Sequence, residues 1–164
     1  MTTTPQQFRD ALRHFPSGVT LVTIRAGEIV HGLTVSAFAS ISPEPPLVAI
    51  FVDHKHRAHD LLERSEAVFA VNVLAADQRE LSELFAWRPD EERFTRGSWS
   101  VATTGAPVLA DALAWLDCSI ESRAVVGTHS LYVGRVLACA TPRPGQAPLV
   151  YWNRGYRALE SPGE

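Results

Sequence analysis

Only two cysteines occur among the 164 residues. Cys118 and Cys139 each sit in a strand-like segment, far from any Cys-x-x-Cys spacing, and so read as reduced core thiols rather than a redox pair or a metal clip. There is no run of Lys or Arg, and the formal charge is -3. With no cationic excess to neutralise a phosphate polymer, nucleic acid is not an expected partner. No stretch approaches the ~20 apolar residues of a membrane span, and Met1 to Asp10 lack the basic-then-apolar order of a secretory signal. The expected location is therefore the cytoplasm, with no membrane partner. Also missing is a Gly-x-Gly-x-x-Gly after a strand, so a Rossmann-type dinucleotide site is not supported. We find no internal repeat and no low-complexity segment.

What is present is the material of a folded domain. A hydrophobic content of 46% and this length suit one domain over residues 1–164, with a core at about 8–159. Phe8, Ala11, Leu12 and Phe15 recur at helical spacing and predict a short amphipathic helix over residues 5–14, closed by Pro16-Ser17-Gly18. Residues 19–24 and 29–38 read as a hairpin across Ala26-Gly27, and 47–52 as a third strand. Residues 57–64 read as helical and 68–74 as a strand. A second helix follows, with Asp77 as cap, Glu80 as its acidic partner and Leu81, Leu84 and Phe85 as its apolar stripe, ending at Trp87-Arg88-Pro89-Asp90. Residues 90–110 read as irregular, with Trp99 and Val101 in a short strand, and 112–120 as either helix or strand. Later strands are expected at 115–124, 129–139 and 149–152. Helices placed irregularly among so many strands argue for a mainly β protein, a Greek-key barrel with a few peripheral helices, over a doubly wound parallel sheet.

Chemistry concentrates in two places. In Gly32-Leu33-Thr34-Val35-Ser36-Ala37-Phe38-Ala39-Ser40, hydroxyls interrupt an apolar strand, and alternation sets Thr34, Ser36 and Phe38 on one face. Either that face is solvated or its hydroxyls bond the local backbone, or it offers a polar edge to a flat ligand. The second place is the turn Asp53-His54-Lys55-His56-Arg57-Ala58-His59. It reads as a solvated charged turn, as a metal site, or as an anion site in which Lys55 and Arg57 add charge to a helix N-terminus. Ligation by Asp53, His54, His56 and His59 requires convergence that the spacing does not favour, so no metal is expected.

Taken in order, Phe15-Pro16-Ser17-Gly18-Val19-Thr20, Gly32-Leu33-Thr34-Val35-Ser36-Ala37-Phe38 and Pro45-Pro46-Leu47-Val48 resemble the flavin reductase family with the FMN-binding split-barrel fold. The resemblance continues through Ala70-Val71-Asn72-Val73-Leu74, Leu81-Ser82-x-x-Phe85-Ala86-x-Arg88, Gly127-x-His129, Tyr132-x-Gly134-x-Val136 and Pro148-Leu149-Val150-Tyr151, with Tyr156 shortly after. It spans Phe8 to Leu159. It implies an NAD(P)H:flavin oxidoreductase that reduces FMN or FAD with NADH or NADPH and supplies reduced flavin to a separate oxygenase. It also implies a homodimer with the flavin near the interface.

Hydride passes from nicotinamide C4 to flavin N5, which asks for stacked rings more than for acid or base groups. The resemblance implies that Thr34, Val35, Ser36 and Ala37, with Ser40, hold the ring edge. Asp53, Lys55, Arg57 and His59 would lie toward the flavin phosphate, and Phe85 and Arg88 toward the flavin tail. His129 would contact the nicotinamide, with Tyr156, and less strongly Arg154, near the same cleft. The chain departs from the family where Thr128 replaces an Asp before His129, and where Lys55, Arg57 and Ala58 stand in for hydroxyl residues. Two alternatives stay open: a flavin-binding split barrel without NAD(P)H turnover, which the Thr128 departure brings nearer, and a non-catalytic interaction module whose polar strand is merely solvated.

Overall fold

A computed structural model of the chain describes residues 2–159. Helix α1, Pro5–Leu12, is opened by a capping box. The Thr4 hydroxyl accepts from the Gln7 N–H while the Gln7 side chain accepts from the Thr4 N–H, and Pro5 supplies a pre-set first turn. Strands β1 (Ser17–Gly18), β2 (Thr20–Ala26), β3 (Ile29–Val35), β4 (Phe38–Pro43) and β5 (Pro46–Asp53) follow. Next come helix α2 (Arg57–Leu62), strand β6 (Val68–Val73), a 3-10 turn (Ala76–Gln78), and helices α3 (Arg79–Trp87) and α4 (Asp90–Arg93). The chain closes with β7 (Trp99–Val101), β8 (Pro107–Leu109), β9 (Ala114–Val126), β10 (His129–Ala140), β11 (Leu149–Trp152) and β12 (Gly155–Ala158).

Seven strands form one antiparallel sheet in the order β3-β2-β6-β9-β10-β5-β4. Its two outermost strands are consecutive in the chain, joined only by Ser36 and Ala37. Three Cα steps reach about 11 Å at most, so the two ends of the sheet must come together there. The sheet therefore curls into a barrel, yet no ladder joins β3 to β4. The barrel is split at the hydroxyl-bearing stretch.

Burial explains the apolar runs. Along β2, Leu21 belongs to one core cluster with Leu74, Phe85 and Leu149, while Val22 and Ile24 belong to another with Ile50, Leu62 and Phe69. Both faces of β2 are covered, so burial runs unbroken from Thr20 to Ile24 instead of alternating. The buried polar groups are paired. Asn72 Nδ2 donates to the Leu21 carbonyl at 3.0 Å and its Oδ1 accepts from the Leu109 N–H at 2.7 Å, tying β6 to β8. Asp117 accepts from both the backbone N–H and the hydroxyl of Thr104. No buried side-chain nitrogen or oxygen among the described residues lacks a partner, as the cost of desolvating such groups requires.

Several expectations are corrected. The 29–38 strand is two strands, broken at Ser36 and Ala37. The ambiguous 112–120 segment is the start of β9, paired with β6 and β10. Residues 90–110 hold α4, β7 and β8. Asp77 does not cap α3: it lies in the preceding 3-10 turn and forms a two-point ion pair with Arg143, at 2.9 and 2.7 Å. An arginine offering two parallel N–H groups outcompetes a local cap. Cys118 is buried, and desolvation pushes its thiol up to about 12, so it is inert at neutral pH. Cys139 is a free, exposed thiol.

Candidate active site

The split is where the surface opens. A depression of about 530 Å³ is lined by Ser36, Ala37, Phe38, Phe51, Tyr151 and Trp152 among others. A second, of about 250 Å³, shares Ser36 and Tyr151 with it and adds Thr34, Ala86, Trp87 and Tyr156. A third, of about 360 Å³, shares Thr34, Ala86 and Trp87 with the second and is lined by His31, Lys55, His56, Arg57, Asp90 and Arg93. The shared residues make one groove along the end of β3, with aromatic walls and Arg9, Arg13 and Arg154 at one end and Lys55, Arg57 and Arg93 clustered at the other.

Its floor is set by chain geometry. Ser36 and Ala37 leave the ladder, and only their carbonyls are engaged: Phe38 N–H donates to Ser36 O at 3.0 Å and Phe51 N–H to Ala37 O at 3.2 Å. Among the described residues, the N–H groups of Ser36 and Ala37 meet no acceptor. Two exposed residues with small side chains and unpaired backbone donors therefore line the groove, a surface that a flat, acceptor-rich edge can approach closely. The Thr34 hydroxyl donates to the Ser82 carbonyl at 2.6 Å. Ser82 Oγ in turn lies 2.8 Å from Tyr156 Oη, and Arg79 stacks 5.2 Å above the Tyr156 ring. Thr34 thus keeps only its lone pairs for a ligand, and Tyr156 is held in place.

The cationic end is assembled from three elements. Asp90, on α4, accepts from Arg57 of α2 at 2.9 Å, pairs with Arg93 at 2.8 Å, and meets His31 Nδ1 of β3 at 3.2 Å. Arg93 also donates to the Gly32 carbonyl at 2.7 Å, which fastens α4 to β3. His31 is only 5% exposed; burial depresses its pKa, and Asp90 opposes that shift without cancelling it.

The other candidate residues fall around the groove. Val35 is in the core, its carbonyl accepting from the Thr20 hydroxyl at 2.7 Å. Ser40 is exposed on β4. Phe85 is buried beneath the cationic end, its ring 5.1 Å from Phe94 and 5.5 Å from Trp99. Arg88 lines a further depression with Glu80, Glu83 and Glu92 that meets the groove at Trp87. His59 does not line the groove; its ring lies 4.6 Å from that of His54 and 6.5 Å from that of Tyr132. Tyr132 itself donates to Glu63 at 2.7 Å, and burial together with that bond pushes its pKa up.

His129 opens β10 directly opposite Asp53, beside the turn that carries Lys55, with Thr128 Oγ1 3.0 Å from its Nδ1. The Asp53 carboxylate accepts from the Lys55 N–H at 3.0 Å. That bond is the main cause holding its pKa down, and the nearby His129 acts in the same direction. Asp53 thus stands across the ladder as an acidic neighbour of His129. His31, Asp90, Arg93 and Trp87 are site residues that the sequence reading did not select. Pro89 followed by Asp90-Glu91-Glu92 is a helix-start signal that points to α4.

Comparison with known proteins agrees with this geometry. Residues 12–160 match the model of the flavin reductase like domain. The chain is 38% identical over 157 residues to the FMN reductase (NADH) RutF of Bradyrhizobium diazoefficiens, covering 94% of this chain and 86% of that protein. It is 35% identical to HsaB, the reductase subunit of a flavin-dependent monooxygenase of Rhodococcus jostii, covering 95% and 78%. The solved structure of the Streptomyces globisporus NADH:FAD oxidoreductase in complex with NAD and FAD fragments superimposes with a TM-score of 0.89 at 30% identity, over 100% of this chain and 99% of that one. A split antiparallel barrel, a two-ended groove at the split and these relatives lead to one conclusion: the chain belongs to the flavin reductase like domain family.

Proposed function

We propose that this protein is an NAD(P)H-dependent flavin reductase that binds FMN or FAD in the groove, reduces it and releases it to a separate oxygenase. The observation that carries the reading is the groove's polarity. Free Ser36 and Ala37 N–H groups lie beside aromatic walls at one end and Lys55, Arg57 and Arg93 at the other, matching a planar ring with an anionic tail. The bound flavin would supply the hydride-accepting chemistry. The protein's residues bind and orient. Ser36 and Ala37 donate to the ring edge and stabilise negative charge that builds there, while Lys55 and Arg57 meet the phosphate. Trp87 and Tyr156 bound the middle of the groove. His129, neighboured by Asp53 in place of the family's adjacent Asp, contacts the nicotinamide and moves no proton. Phe85 supports the tail end from below, and the assignments of Val35, Ser40, His59 and Arg88 belong at most to positioning.

Oxidation of NADH or NADPH at 340 nm tests the proposal. Turnover that requires added FMN or FAD is expected; flavin binding without such turnover would instead favour the alternative of a non-reductase flavin binder. We also propose a cytoplasmic homodimer. Phe15, Tyr151 and Trp152 remain exposed at the aromatic end of the groove, where a second copy would cover them. Light scattering giving a single-chain mass would exclude it. No helix among the described residues is long and apolar enough to cross a membrane.

A further inference from the structure

Building on the flavin reading of the groove, we infer that Asp90 is a resident counter-anion that competes with the flavin phosphate and keeps the flavin exchangeable. Both its carboxylate oxygens are engaged by guanidinium groups at the cationic end, Oδ2 by Arg57 and Oδ1 by Arg93. The two arginines differ in freedom. Arg93 is 16% exposed and is held a second time by the Gly32 carbonyl, whereas Arg57 is 58% exposed and its side chain has no hydrogen-bond partner other than Asp90 among the described residues. An incoming phosphate that recruits Arg57 through its remaining N–H donors therefore shares the guanidinium with Asp90, and lies beside a carboxylate that stays in place. Asp90 is also held by Arg93 at Oδ1 and by the buried His31, whose Nδ1 shares Oδ2 with Arg57.

The consequence is selective. A phosphate-bearing flavin meets both the cations and the opposing carboxylate, while riboflavin, which shares the ring and ribityl chain but lacks the phosphate, meets neither. Weak retention of FMN suits a protein that must give its product away. Removing one negative charge roughly 6 Å from a phosphate dianion in water-like surroundings tightens binding about ten-fold, and salt shrinks the difference.

The test is titration of the full-length protein with FMN and with riboflavin at low and at 0.5 M salt, for the unsubstituted protein, Asp90→Asn and Arg57→Gln. Expected are an Asp90→Asn Kd for FMN lowered about ten-fold at low salt, converging at high salt, with the riboflavin Kd unchanged. Arg57→Gln should weaken FMN and leave riboflavin unaffected, which keeps the inference open to test if Asp90→Asn does not fold. Unchanged or weaker FMN binding by Asp90→Asn with normal riboflavin binding would overturn the counter-anion role alone. Failure of the unsubstituted protein to bind riboflavin would overturn the groove reading instead.

Discussion

Gly32 lies in β3 immediately above the ring of Phe85, and a Cβ placed there would come within 2.4 Å and 2.8 Å of two ring carbons and 3.2 Å of Phe94. The Gly32→Ala variant must push the Phe85 ring away. That ring is 1% exposed and is packed against Phe94 and Trp99, so it can shift only by disturbing those rings or the groove it walls. Overpacking of this kind costs roughly 1–3 kcal/mol; for a chain of this size each kcal/mol lowers Tm by about 2–4 °C. Differential scanning calorimetry should therefore give a fall of about 4–8 °C for the middle of that range. Because Phe85 also walls the cationic end of the groove, flavin affinity should weaken in the same variant. The smaller Phe85→Leu side chain makes room, so the double variant should be more stable than the sum of the two single losses, a coupling of about 1 kcal/mol or more. An unchanged Tm for Gly32→Ala, or strict additivity in the double variant, would refute the argument that this contact fixes β3 against α3.

Replacing His129 with Ala should raise the KM for NADH about ten-fold, the worth of one hydrogen bond to a charged group, with the Kd for FMN essentially unchanged; equal effects on both constants would remove it from the nicotinamide site. His31 gives a pH dependence. Its folded pKa lies below the ordinary value of 6.5, so the unfolded chain binds the proton more readily. Its contribution is intact above pH 6.5 and destabilises progressively as pH falls below that value toward the depressed folded pKa. Thermal unfolding between pH 5 and 7.5 should show a steeper acid loss for the unsubstituted protein than for His31→Gln, and parallel curves would contradict this.

The barrel was legible because strand runs such as Pro46–Asp53 and Val68–Val73 combine β-branched residues with turn signals at their ends. The break at Ser36-Ala37 was not. Nothing in the local pattern distinguishes a strand of ten residues from two strands meeting at the seam of a barrel, since the break follows from closure of the whole sheet. Likewise Asp77 is a sound cap by local rules, and only the fold brings Arg143 to it. The hydroxyl stretch and the Lys55–Arg57 turn were visible as chemistry from composition alone. His31, Asp90 and Arg93 were not, because a buried His on a strand and an acidic turn from a segment that reads as irregular become one cluster only when α4 folds over β3.

Flavin binding at the seam depends on the Ser36 and Ala37 backbone donors. Titration of the 15N-labelled protein with FMN, followed by amide resonances, tests it most directly. The Ser36 and Ala37 amides should move, and more than those of Ser100 and Val101, which lie on β7 outside the groove. Saturable FMN binding that leaves the Ser36 and Ala37 resonances in place would contradict it.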